Sequence, residues 1–225
     1  MLQNSIIASC IIFCATLIFA EVVVETALDR IVDHPIQSEK RYTLMKDYAN
    51  AHYGLDHANL INPKMIVIHY SAIATLKQTL SAFDRDQIPQ SRDRLASYGD
   101  VNVGTHYVVA KDGTIYQLLP TTLMARHVIG FNYTAIAIEN VALDAGRLTD
   151  AQIRSNALLI DMLFKKHPSL EFMIGHYEYM NQTMPHFKYF KENIEDYRPS
   201  IKIDPGFDFM RRLRTHLKLQ YNLVL

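Results

Sequence analysis

Short apolar runs separated by polar stretches follow one another from residue 64 onward, and each run has the length of a strand. Apolar and β-branched residues bounded by turn-forming residues are typical of strands buried in a sheet. Lys111-Asp112-Gly113 separates two of the runs, and its Asp-Gly pair favours a hairpin. The pattern predicts strands at Met65–His69, Gly104–Ala110, Thr114–Leu119, Ala135–Val141 and Phe172–Ile174.

Two helices are predicted between these strands. Thr75–Phe83 is the shorter one, and the second begins with a capping box, Thr149-Asp150-Ala151-Gln152, and ends before Pro168. Gln87–Asp100 is polar and charged and is predicted to be a loop. Strands and helices interleave without strict alternation. We therefore predict a single domain of the α/β (α+β) class, in which a central mixed β-sheet is flanked by helices.

The first 63 residues do not share this pattern. Ile6–Ala20 is uncharged and almost wholly apolar. Because a membrane-spanning helix needs about 20 apolar residues, we interpret residues 1–20 as a signal peptide, with an uncleaved membrane anchor as the alternative. Ile7-Ala8-Ser9-Cys10 also resembles a bacterial lipobox. Residues 21–63 lack a clean period and are predicted to form an N-terminal arm with some helix.

The composition suits one exported domain. The 225 residues are 49% hydrophobic, and the formal net charge of zero gives no reason to expect nucleic acid as a partner. Both cysteines, Cys10 and Cys14, lie in the leader, so the processed chain has neither a disulfide nor a thiolate ligand. We expect a periplasmic or secreted monomer that reaches a membrane only through an uncleaved leader or a lipid anchor.

Three residues have the character of metal ligands. His69 and His176 each follow an apolar run, where the edge of a sheet opens into a site. Pro205 favours an extended conformation at Asp204, so the side chains of Lys202 and Asp204 are expected on the same side of the chain. Two neutral imidazoles and one carboxylate form a three-ligand zinc set with an open fourth position, which is typical of catalytic zinc. The residues therefore indicate a zinc hydrolase.

Glu139 is the candidate catalytic carboxylate. Strand alternation places Ala135, Ala137 and Glu139 on one face, where the small alanines leave space beside the carboxylate. A glutamate at the edge of the sheet that only faces solvent is the alternative. His106 lies inside a predicted strand and is interpreted as structural.

Several motifs occur together in an order that resembles a known family. They are Ile66-Val67-Ile68-His69, His106-Tyr107-Val108-Val109, Asp112-Gly113-Thr114-Ile115-Tyr116-Gln117, Ile136-Ala137-Ile138-Glu139, Leu148-Thr149-Asp150-Ala151-Gln152, Gly175-His176 and Lys202-Ile203-Asp204-Pro205-Gly206. In this order they resemble zinc-dependent N-acetylmuramoyl-L-alanine amidases of the AmpD-like type, a group similar to peptidoglycan recognition proteins. The resemblance covers roughly residues 64–209.

The resemblance implies a role for each candidate residue. His69, His176 and Asp204 would bind one zinc ion, Glu139 would be the catalytic carboxylate, and Lys202 would stabilise the oxyanion. It also implies that His127 and Asn132 lie near the substrate groove. The expected domains are the leader at 1–20, the arm at 21–63 and a zinc amidase domain at 64–225.

Two features depart from the family. The stretch from His176 to Asp204 is long, and its part at about 181–200 is predicted to be an insertion that forms either a lid or a packed surface excursion. The family often has a tryptophan just before the position of His127, whereas this chain has Arg126 there and no tryptophan at all.

The sequence thus predicts an exported zinc amidase that acts on peptidoglycan or muropeptides. It would cleave the amide between the lactyl group of N-acetylmuramic acid and L-alanine. A non-catalytic peptidoglycan-binding module is the main alternative. A zinc peptidase that cuts within the stem peptide would use the same chemistry.

Overall fold

The computed structural model describes residues 31–225, and residues 33–225 form one compact unit. The predicted leader at 1–20 and residues 21–30 of the predicted arm lie outside the described residues. Within residues 31–225, no helix combines the length and the apolar character that crossing a membrane requires.

The centre of the fold is a six-stranded sheet. The predicted mixed sheet is confirmed, but the sequence predicts only five of its strands and misses the short edge strand at Ile31–Asp33. The strand order is β1-β4-β3-β5-β2-β6. The central strand β2 runs parallel to β5 and β6, β3 runs parallel to β5, and only the hairpin pair β3 and β4 is antiparallel among these pairings. The strands are β1 (Ile31–Asp33), β2 (Met65–Tyr70), β3 (Tyr107–Val109), β4 (Ile115–Gln117), β5 (Ala135–Asn140) and β6 (Phe172–Gly175).

Capping residues mark the start of one helix and the end of another. The side chain of Thr149 accepts a hydrogen bond from the backbone N–H of Gln152, and the Gln152 side chain completes the predicted capping box. Gly54 ends the first helix in the left-handed conformation. The helices are α1 (Glu39–Tyr53), α2 (Leu76–Phe83), α3 (Asp93–Ala96), α4 (Asp150–Lys166) and α5 (Phe207–Tyr221). The short α3 lies in the stretch predicted to be a loop.

Strands β2 and β5 are buried almost completely, which is why they appear in the sequence as nearly continuous apolar runs. Met65, Val67 and Ala135 pack in one cluster with Phe131 and Tyr179. Because side chains alternate along a strand, His69 and Glu139 lie on the same face as this cluster, and each is the penultimate residue of its strand. The core thus supports the edge at which the candidate residues meet.

The predicted insertion packs against the same cluster. Its short 3-10 helix, Pro185–Tyr189, brings the apolar side chains of Phe187 and Phe190 onto the cluster. Gly130 permits this contact, because a Cβ atom there would lie 2.3 Å from the ring of Phe190. The part of the predicted insertion around residues 185–190 is therefore packed on the core.

Candidate metal centre

His69, His176 and Asp204 bring three ligand atoms into one small triangle. The Nδ1 atoms of the two histidines lie 3.0 Å apart, and Asp204 Oδ2 lies 3.2 Å from His69 Nδ1 and 3.0 Å from His176 Nδ1. In a tetrahedral zinc set with bonds of about 2.1 Å, neighbouring ligand atoms lie about 3.4 Å apart. The three atoms therefore lie close enough together to bind one metal ion.

The sheet register brings the two histidines together. His69 is the penultimate residue of β2, and His176 directly follows β6. Ile68 of β2 is paired with Gly175 of β6, so the residues that follow them are neighbours at the carboxyl ends of parallel strands. Asp204 comes from the loop before α5, and its carbonyl oxygen accepts a 2.9 Å hydrogen bond from the backbone N–H of Tyr177. That bond ties the loop to the segment that carries His176.

The protonation states suit metal binding. Burial and the neighbouring His69 lower the pKa of His176 to about 4, which keeps its imidazole neutral near pH 7. Burial raises the pKa of Asp204, but interactions with His176 and His69 outweigh it and hold that pKa below the usual value. A neutral imidazole and an ionised carboxylate are the forms that coordinate a cation.

Glu139 lies beside this triangle on the neighbouring strand. Its register partner in β5–β2 pairing is His69, and it is only 8% exposed. Burial, followed by the negative charge of Asp204, raises the pKa of the Glu139 carboxyl well above its ordinary value. The glutamate is thus a buried group on the face of the sheet that carries His69, not an edge residue that faces solvent.

A cavity of about 570 Å³ opens over these residues. Lys202 and Asp204 both line it, as expected for side chains two residues apart in an extended segment. Tyr197 and Arg198, at the end of the predicted insertion, form part of its wall. The charged side chains that line the cavity are Arg92, Arg94, Arg126, Arg198, Lys202, Glu139 and Asp204. Cations outnumber carboxylates, so the cavity favours an anionic ligand.

His127 and Asn132 also line the cavity, but their polar atoms are engaged within the protein. His127 Nδ1 lies 3.0 Å from Nε2 of His69, and His127 Nε2 lies 3.3 Å from the carbonyl oxygen of Ala135. Asn132 Oδ1 accepts hydrogen bonds from the backbone N–H groups of His127 and Val128. Contact of either residue with substrate stays a prediction.

The burial and hydrogen bonds of His106 are those of a structural residue. It is fully buried, its Nδ1 accepts a 2.9 Å hydrogen bond from the backbone N–H of Ala137, and its Nε2 lies 2.9 Å from the carbonyl oxygen of Leu123. Burial lowers the pKa of His106 to about 4.

Sequence reasoning did not find the part played by Arg126. Its guanidinium is buried between the rings of Tyr48 and Tyr197 and donates hydrogen bonds to the carbonyl oxygens of Gly99 and Val101. It therefore ties the loop around residue 100 to the segment that carries His127. The one sign of this in the sequence is that Arg126 stands where the family often has a tryptophan. That difference indicates that the contacts at this position differ from those of the family, but it does not identify them.

Comparison with known proteins identifies related sequences and folds. The sequence model of the family Amidase_2, described as N-acetylmuramoyl-L-alanine amidase, matches residues 59–206. A search of curated proteins finds no match. A selenomethionine crystal structure of AmpD is similar with a TM-score of 0.52 and 22% identity, covering 83% of this chain and 93% of that chain.

Two further solved structures have lower TM-scores. The amidase LysC from Clostridium intestinale URNW gives 0.46 at 20% identity over 86% of this chain and 97% of that chain. The recognition protein PGRP-SA from Apis mellifera gives 0.43 at 19% identity over 58% of this chain and 81% of that chain.

Proposed function

Because the chain belongs to the Amidase_2 family of N-acetylmuramoyl-L-alanine amidases, we propose that it uses one zinc ion to hydrolyse the amide between N-acetylmuramic acid and L-alanine. Amidase activity on peptidoglycan follows from the family. The observation that carries the finer proposal is the triangle of His69, His176 and Asp204 beside a buried Glu139 in one cavity.

The three ligands suit a catalytic zinc ion. Neutral imidazole nitrogens and a carboxylate oxygen are its usual protein donors, and three of them leave one position for water or substrate. When bound, zinc supplies Lewis acidity toward water and toward the amide carbonyl.

Glu139 has the environment of a general base. A carboxyl whose pKa is raised by burial binds a proton more readily than a solvated one. Glu139 would accept the proton of the attacking water and pass it to the nitrogen of L-alanine as the amide bond breaks. The proton lost by water thus leaves on the amine product.

Lys202 provides positive charge in the same cavity. The carbonyl oxygen gains negative charge as water adds to the amide, and the ammonium of Lys202 would stabilise it. The arginines Arg92, Arg94 and Arg198 add a cationic wall that suits a peptide bearing carboxylates.

Digestion of purified peptidoglycan and of soluble muropeptides, followed by mass spectrometry, tests the proposal. The expected products are stem peptides with a free L-alanine amine and glycan with an unmodified lactyl carboxyl. Their formation should stop when a chelator removes the metal and resume when zinc is added. Binding without release would favour a recognition module, and cuts within the stem would favour a peptidase. Full activity in a metal-free preparation would overturn the zinc requirement.

We also propose export to the compartment that contains the cell wall. The apolar stretch Ile6–Ala20 supports this, since it has the length of a signal-peptide core. Fusion of the first 30 residues to a reporter active only after export should give activity, and Ile12→Asp in the apolar core should abolish it. Cytoplasmic retention of the unaltered fusion would contradict the proposal.

A further inference from the structure

His127 joins a candidate metal ligand to the protein backbone. Its Nδ1 atom lies 3.0 Å from Nε2 of His69, the nitrogen of His69 that does not face the ligand triangle. Its other nitrogen, Nε2, lies 3.3 Å from the carbonyl oxygen of Ala135. The two rings meet edge to face, with their centroids 5.2 Å apart. His127 therefore lies between the metal site and a fixed acceptor in β5.

The direction of these two hydrogen bonds is determined at both ends. A metal at His69 Nδ1 needs the lone pair of that atom, so the proton of the neutral ring must lie on Nε2. That N–H then donates to His127 Nδ1. The carbonyl oxygen of Ala135 can only accept, so it requires the proton of His127 on Nε2. With a metal at His69 Nδ1, both ends require the same arrangement of the two hydrogen bonds.

The loop that carries His127 is itself fixed. Asn132 Oδ1 accepts hydrogen bonds of 2.8 and 2.7 Å from the backbone N–H groups of His127 and Val128. The amide nitrogen of Asn132 donates a 3.2 Å hydrogen bond to the hydroxyl of Tyr48 in α1. Tyr48 and Asn132 are each at most 2% exposed. The position of the His127 ring is thus set by a buried network that begins in the first helix.

We propose that His127 is a positioning residue for His69, which it holds as the Nε2–H tautomer with Nδ1 directed at the metal. The inference rests on the proposed zinc-dependent function. It also changes the expected part of His127 in substrate binding, because neither ring nitrogen is left free to bind substrate. Partners of this kind keep a ligand ring oriented and raise its basicity, and their loss lowers metal affinity by about 10- to 100-fold.

The test measures metal affinity, independently of catalysis. Zinc dissociation constants would be obtained for the metal-free full chain by competition with a chromogenic chelator, and cobalt substitution would report ligand geometry through its absorption spectrum. His127→Phe keeps a ring but removes the acceptor, and it should weaken zinc binding by about 10- to 100-fold and alter the cobalt spectrum. His127→Asn places an oxygen near the position of Nδ1 and should retain most of the affinity. His216→Phe, in α5, is the matched control and should bind zinc as the unaltered chain does.

An unchanged zinc affinity in His127→Phe, with a raised KM for muropeptide, would overturn the proposal and assign His127 to substrate binding. If the unaltered chain bound no zinc at all, the proposed function itself would fail. Should the variant not fold, nitrogen-15 imidazole NMR of the unaltered zinc-loaded chain gives the answer. Protons on Nε2 of both His69 and His127 would support the proposal, and a proton on Nδ1 of His127 would overturn it.

Discussion

The buried side chains of His52 and Glu192 are hydrogen-bonded although 140 residues separate them in the chain. His52 Nδ1 lies 2.7 Å from Glu192 Oε1, and His52 Nε2 lies 2.8 Å from the carbonyl oxygen of Tyr98. The ring of His52 is therefore hydrogen-bonded at both of its nitrogens. The pair joins α1 to the predicted insertion and to the loop around residue 98.

Removal of one member of this pair should destabilise the protein strongly. His52→Phe leaves the Glu192 carboxyl buried without its hydrogen-bond partner, which typically costs about 1–3 kcal/mol of the free energy of unfolding. Urea denaturation of His52→Phe, Glu192→Gln and the double variant gives the coupling energy. The exposed pair Lys165–Asp161 is the control and should couple by about 0.5 kcal/mol or less. A coupling no larger than that of the control would contradict the prediction.

Glu139→Gln should separate catalysis from metal binding. Glutamine cannot accept a proton, so kcat for muropeptide hydrolysis is expected to fall by about 10²- to 10⁴-fold. The ligand triangle is unchanged, so the protein should retain about one zinc per chain, measured by elemental analysis. Glu195→Gln, at an exposed position, should leave both values as they are. Loss of zinc together with activity would instead make Glu139 part of the metal site.

Zinc should stabilise the folded chain through Asp204. A ligand that binds only the folded state at 100 times its Kd adds about 2.7 kcal/mol to the free energy of unfolding. Thermal denaturation with zinc should therefore show a higher Tm than denaturation with a chelator. Asp204→Asn should remove most of this difference, whereas the neighbouring exposed Asp208→Asn should preserve it. An equal zinc response in both variants would exclude Asp204 as a ligand.

His106 should make the metal-free protein less stable in acid. Burial lowers its pKa to about 4 in the folded chain, against 6.5 for the ordinary group. Between these values the unfolded chain binds a proton that the folded chain does not, so stability falls as the pH drops from 6.5 toward 4. The full effect is about 3 kcal/mol. Urea midpoints at pH 7.5, 5.5 and 4.5 in the presence of chelator measure it.

The variant His106→Gln provides the comparison for this effect. It does not titrate in this range, so its unfolding free energy should depend less steeply on pH. His176, whose pKa is also lowered to about 4, contributes in the same direction and remains in both proteins. Equal slopes in the two proteins would show that His106 is not the source.

The residues that the sequence identified correctly carry local signals. β2, β5 and β6 are apolar runs because parallel strands are covered on both faces, and His69 and His176 stand where two of those runs end. The capping box of α4 is likewise a local signal, because it involves only four consecutive residues.

The residues that sequence reasoning missed act over long distances. The environment of Arg126 is formed by rings and carbonyl groups from three separate segments. The contact of His127 with His69 joins residues that are 58 positions apart in the chain. The helix α3 has only four residues, too few to show a helical period. Such features depend on tertiary contacts, and local sequence patterns do not predict these.

The first helix lies outside the matched stretch of the chain, which begins at residue 59. Yet Tyr48, His52 and Tyr53 of this helix are at most 2% exposed, and the ring of His52 lies between Tyr48, the carbonyl oxygen of Tyr98 and the ring of Tyr197. A protein shortened to the matched stretch would lose one wall of its own interior, and Arg126 would lose one of the rings that cover it. The packing that supports the matched domain therefore includes a helix that lies before its first residue.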